Sequence, residues 1–151
     1  MRTGERRDST ASAGPRVITV AQSRFITLAA ESTRSRLASD LVLAGEYGFV
    51  SGVRAVDLDN DRAPLPEKVE AQTEKIFSNL DAILHAAGLT RRHLVSVRIH
   101  LVDFERLIER MNKAYVECIG AVELPARTCV GVAHLTRGAL VEMDFVVRTG
   151  A

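Results

Sequence analysis

The hydrophobic period changes twice between Val69 and Ile119, and that switching restricts the chain to a sheet that carries helices. Val69, Thr73, Ile76, Leu80, Ile83, Leu84 and Ala87 recur at steps of three and four, one apolar stripe down a helix. Pro66 and Glu67 suit its first turn: the proline has a preset φ and no N–H to waste, and the glutamate meets the positive dipole end. Gly88 suits the C′ position that ends it. From Leu94 to Leu101 the step becomes two. Val95, Val97, Ile99 and Leu101 point one way, Ser96, Arg98 and His100 the other, as in a half-buried strand. Asp103 is placed to cap a second helix with the stripe Phe104, Leu107, Ile108, Met111, Tyr115 and Ile119, ended by Gly120.

Strands are expected on either side of this unit. Arg24 to Leu28, Leu41 to Glu46 and Gly48 to Val53 are β-rich runs, and two more follow near Ala126 to Ala133 and Ala139 to Arg148. Asp57 to Pro66 is a turn-rich loop whose acidic spacing does not fit a calcium site. Residues 1–16 are polar and without an apolar period, and read as a disordered leader before a single domain over 17–151. A targeting peptide is the other reading of Arg2, Arg6 and Arg7, opposed by Glu5 and Asp8. The expected class is α/β in the broad sense (α+β), a mixed sheet with two helices packed on one face. Its other face would be exposed unless a second copy covered it, which points to an oligomer.

Composition narrows the function. Twenty basic and nineteen acidic side chains leave a net charge of +1, too little to steer nucleic acid or an anionic membrane. No apolar run reaches membrane-spanning length. Cys118 and Cys129 are the only cysteines, which suggests a reduced, cytoplasmic setting. His85, His93, His100 and His134 lack metal-ligand spacing, and no Gly-rich phosphate loop is present, so no metal and no cofactor are expected.

The informative segment is Pro125-Ala126-Arg127-Thr128-Cys129-Val130-Gly131-Val132, followed by the strand around Glu142. If these strands form an antiparallel hairpin around Leu135 to Gly138, Cys129 lies opposite Glu142, with Arg127 diagonal to it. An arginine and a carboxylate would then share one surface. The arginine fork can bind a substrate carboxylate through two parallel hydrogen bonds, and the glutamate can orient water or move a proton. An ordinary ion pair across two strands is the plainer reading. Cys129 reads as a small packed side chain rather than a nucleophile, since no base is indicated beside it.

The Pro-Ala-Arg-Thr-Cys-Val segment, with the Glu142 strand fifteen residues on, resembles the RidA/YjgF reactive-intermediate (imine) deaminase family. Gln72, Asn79-Leu80, Leu84, Ala87-Gly88-Leu89, the Val95–Leu101 strand, and Asn112 with Tyr115 fall in that family's order. The resemblance runs from Leu41 to Val147. It implies a chorismate-mutase-like fold and a homotrimeric barrel with sites between subunits. It also implies hydrolysis of 2-imino acids to 2-keto acids and ammonia. By the same resemblance Arg127 holds the substrate carboxylate, Glu142 positions the attacking water and the backbone at Cys129 lines the pocket. Asn112 matches the polar helix residue, and Gly45 the glycine beside the substrate.

The sequence also departs from that pattern. The family's pocket tyrosine has no counterpart near Glu31-Ser32, Ser-Gly-Gln becomes Ala44-Gly45-Glu46, and the proline after Leu135 is Thr136. Glu46 is either a pocket acid facing Glu142, coupled to it by like-charge repulsion, or a strand-end charge in solvent. Three functions follow. The first is a cofactor-free hydrolase of a carboxylate-bearing imine or enamine, in general form or as a pathway-specific variant for a larger substrate. The second is a non-catalytic trimer that binds or senses a small acid. The third, an endoribonuclease, ranks last because five Phe, two Tyr and no Trp offer little stacking surface.

Overall fold

The computed structural model describes residues 23–28, 37–120 and 123–150. The elements run β1 (Arg24–Ile26), β2 (Leu41–Ala44), β3 (Tyr47–Val53), α1 (Val69–Ala86), β4 (Leu94–Val102), α2 (Phe104–Ile119), β5 (Ala126–Val132) and β6 (Val141–Arg148). They form one mixed six-stranded sheet in the order β1-β2-β3-β6-β4-β5. β4 and β5 are the parallel pair, because α2 carries the chain back across the sheet between them. The other neighbours are antiparallel.

Both helices turn their stripes onto one face. Val97, Ile99, Leu101, Val141, Met143, Phe145 and Val147 meet Ile76, Phe77, Leu80, Leu84, Leu107 and Met111 there, all buried. Phe77 lies edge-on to Tyr115 and to Phe145, with ring centroids 5.7 and 6.0 Å apart.

Two helix starts differ from expectation. α1 begins at Val69, with Pro66 and Glu67 ahead of it and Lys68 as an extended N-cap. The carbonyl of Pro66 is taken by the buried Gln72 side chain at 2.7 Å instead of a helical N–H, and Gln72 Oε1 accepts from Leu140 N at 2.8 Å. Asp103 occupies the N-cap of α2, but in a left-handed conformation (φ 51°) and with no side-chain cap bond. Its carboxylate pairs with Arg106. Gly88 and Gly120, both at positive φ, end the helices as expected.

The strand exits are pinned from the helix layer. Asn79, buried on α1, donates through Nδ2 to the carbonyls of Arg54 and Val56, each at 2.9 Å, and so holds the chain leaving β3. Asn79→Ala leaves both carbonyls without that donor. The expected cost is about 2 kcal/mol, read as a lower urea midpoint with an unchanged m-value.

The predicted β5–β6 hairpin does not form. β4 lies between the two strands, with Ile99 facing Cys129 on one side and Met143 on the other. The connection through the short 3-10 turn Thr136–Gly138 passes beyond the end of β4 and is not a tight hairpin turn. Away from the helices, the sheet face divides in two. One end is an apolar row, with Phe25, Val42, Phe49 and Val146 in register and Phe49 51% exposed. The other end carries charge: Arg98 and His100 of β4 stand opposite Asp144 and Glu142 of β6.

Candidate functional site

Two polar clusters emerge from this topology, on opposite faces of the sheet. The first surrounds Arg127. Its register partner is Val97, a core residue, so Arg127 stands on the helix side. β5 is the last strand, and there Asn112 and Tyr115, one turn apart on α2, reach the sheet edge. Arg127 Nη2 donates to Asn112 Oδ1 at 2.6 Å, and the guanidinium lies 4.7 Å above the Tyr115 ring. Among the described residues no acid pairs with it. Held by two neutral groups and paired with no carboxylate among the described residues, this exposed guanidinium keeps N–H donors free. Burial pushes the Tyr115 hydroxyl up, and the nearby Arg127 charge opposes that shift. Burial likewise pushes the half-buried Cys129 thiol up, against a smaller lowering by Arg127. Cys129 is therefore a packed thiol, not an activated nucleophile.

The second cluster surrounds Glu142 on the open face. Arg54 Nε lies 3.3 Å from Glu142 Oε2, an ion pair without the alignment of a hydrogen bond. Arg54 also donates to the Thr136 hydroxyl. His100 stands beside Glu142 in register, and its buried Nδ1 has no hydrogen-bond partner among the described residues. Two residues along β6, Asp144 accepts a 2.8 Å bond from the backbone N–H of Gly52. Gly52 sits at φ +65° where the β3–β6 register slips between Val50 and Val53. A bulge of that kind needs a residue at ease with positive φ, and here it aims a backbone donor at the Asp144 carboxylate.

Several expectations are corrected by these positions. Arg127 and Glu142 do not share a surface, because β4 separates their strands and their side chains leave by opposite faces. The cross-strand ion pair expected of them is absent, and Arg54 is the partner of Glu142 instead. Gly45 (φ +60°) forms the β2–β3 turn, apart from both clusters within one copy. Glu46 in that turn is a solvent charge, its side chain 67% exposed and 3.6 Å from Arg148. Within one copy it lies about 20 Å from Glu142 along β6. Asn112 does meet Arg127, and Cys129 lies two residues further on the same face. Glu31 and Ser32 lie outside the described residues.

Sequence reasoning missed Arg54, Gly52 and Tyr115 as members of these clusters. Tyr115 was visible as part of an apolar stripe with Asn112 three residues earlier. A glycine inside a strand-like run is the usual mark of a bulge, and Gly52 was such a mark. No local signal joined Arg54 to Glu142.

Comparison with known proteins gives consistent matches. The family model described as Endoribonuclease L-PSP matches residues 31–149. A RutC family protein of Aquifex aeolicus is 35% identical over 109 residues, spanning 72% of this chain and 85% of that relative. The Rid-family protein YyfA of Yersinia pestis superposes with a TM-score of 0.75 at 26% identity, over 84% of this chain and 99% of that one. RidA from an Antarctic Psychrobacter gives a TM-score of 0.72 at 28% identity, over 82% and 97%.

Proposed function

This chain belongs to the RidA/YjgF (endoribonuclease L-PSP) family, and on that premise we propose that it hydrolyses a carboxylate-bearing imine or enamine. The reaction converts a 2-imino acid and one water into a 2-keto acid and ammonia. The observation that carries this reading is the Arg127 guanidinium, fixed by Asn112 and Tyr115 and without an acidic partner among the described residues. Arg127 receives the substrate carboxylate and so places the neighbouring C=N carbon. Glu142 orients a water towards that carbon and takes its proton as the C–O bond forms. Glu142 returns that proton to nitrogen, then carries the hydroxyl proton of the resulting carbinolamine to nitrogen as well; the C=O bond forms as the C–N bond breaks, and the C–N electron pair leaves with ammonia. No oxidant, reductant or cofactor is required.

The opposite-face placement of Arg127 and Glu142 favours a site built from two copies, the Arg127 cluster of one protomer meeting the Glu142 cluster of the next. A homotrimer whose open sheet faces line a closed barrel makes that meeting and covers the apolar row at Phe49. The half-buried free thiols suit a reduced, cytoplasmic setting. No helix among the described residues is long and apolar enough to cross a membrane.

The test generates 2-imino acids with an amino-acid oxidase and traps them with semicarbazide. Added protein is expected to lower the rate of semicarbazone formation. An unchanged trace, with keto acids still bound, would replace hydrolysis by a small-acid-binding role that uses the same arginine.

A further inference from the structure

We infer that Arg54 is a positioning residue for Glu142, holding that carboxylate in the rotamer that water activation needs. The inference rests on the hydrolytic reading above. A glutamate on an open sheet face has three rotatable side-chain bonds, and nothing in β6 itself selects one orientation. Arg54 supplies the selection. Its side chain is only 14% exposed and that of Glu142 only 24%, so the pair is shielded enough for its geometry to matter.

Arg54 is itself held at both ends. Its backbone carbonyl accepts from Asn79 of α1, and its guanidinium donates to the Thr136 hydroxyl in the β5–β6 connection. The hydroxyl comes from the position where the related pattern has a proline, which has none to offer. Thr136, Arg54 and Glu142 thus form a chain of contacts from the connection to the carboxylate. The other charged or titratable groups facing Glu142 are His100 of β4, beside it in register, and Asp144, two residues along β6. Asp144 is engaged by the backbone of Gly52. Arg54 is the one cation paired with Glu142 among the described residues.

The test compares Arg54→Gln, Arg54→Lys and Thr136→Val with the wild-type protein, measuring kcat and KM for imine hydrolysis and the affinity for the keto-acid product. Arg54→Gln is expected to lower kcat by about ten- to a hundredfold, with KM and product affinity within about twofold, since Arg127 stands on the other face. Arg54→Lys restores the charge without the fork and is expected to recover part of the loss. Thr136→Val is expected to lower kcat a few-fold in the same direction. An Arg54→Gln kcat within twofold of wild type, or a loss seen in KM alone, overturns the inference. If Arg54→Gln does not fold, the same criteria apply to Arg54→Lys and Thr136→Val. A wild-type protein without turnover removes the hydrolytic reading and this inference together. Turnover that is sensitive to Arg127→Ala but indifferent to Arg54 removes the inference alone.

Discussion

Arg127→Ala is expected to reduce imine turnover to background, with kcat/KM at least a hundredfold lower and keto-acid binding lost. Two parallel charge-assisted hydrogen bonds to a carboxylate, at about 1.5–3 kcal/mol each, set that scale. The substrate loses its anchor in the ground state and the transition state alike, so KM rises as well as kcat falling. The fold should be nearly indifferent. The side chain is exposed, its bond is to a neutral amide, and its stacking on Tyr115 is worth about 0.5–1 kcal/mol. Arg127→Lys keeps the charge without the planar fork and is expected to recover little. Steady-state kinetics with calorimetric titration of pyruvate or 2-oxobutanoate checks this. A variant with wild-type kcat/KM would remove Arg127 from the reaction.

Glu142→Gln is expected to lower kcat by about 10²- to 10⁴-fold, the range for loss of a general base, while keto-acid affinity stays near wild type. The amide keeps the shape and one acceptor but cannot take a proton from water. The ion pair to Arg54 is also lost, a smaller effect of about 1 kcal/mol on stability. The contrast with Arg127→Ala is the informative part: one variant loses binding and the other keeps it. Because the two residues leave opposite faces of the sheet, the pair also tests assembly. Unfolding the two inactive variants together and refolding the mixture should return activity to about a quarter of wild type, the share of interfaces that join an intact Arg127 to an intact Glu142 in a random cyclic trimer. No recovery from a well-refolded mixture would place both residues of each site in one copy.

Much of the fold was legible because period reports on local geometry. The stripes of α1 and α2 and the alternation of β4 identified element type and buried face to within a few residues, since each side chain's direction follows from its own backbone. The glycines that end the helices were readable for the same reason. Pro66 misled because it was judged as a first-turn residue, whereas the Gln72 side chain takes its carbonyl in the native structure. The candidate site divided similarly. Arg127 and Glu142 stood out by residue type and surroundings, and Asn112 by its place in the helix. Gly45 was chosen by its match to the glycine of the related pattern, and Gly52 was not considered. Only the register slip beside β6 distinguishes the glycine that aims a donor at a carboxylate from the one that makes a turn.

What the amino-acid sequence determined by itself was the set of elements and the face each one buries, and it singled out Arg127 and Glu142 as candidates. Those properties depend on side chains a few positions apart along one backbone. What the tertiary structure decided was adjacency. β4 entered between β5 and β6, so Arg127 and Glu142 parted to opposite faces, and Arg54 arrived from the segment just after β3 as the partner of Glu142. Strand order results from hydrogen bonds and packing summed over the whole sheet, and alternation within a strand names the buried face without naming the neighbour.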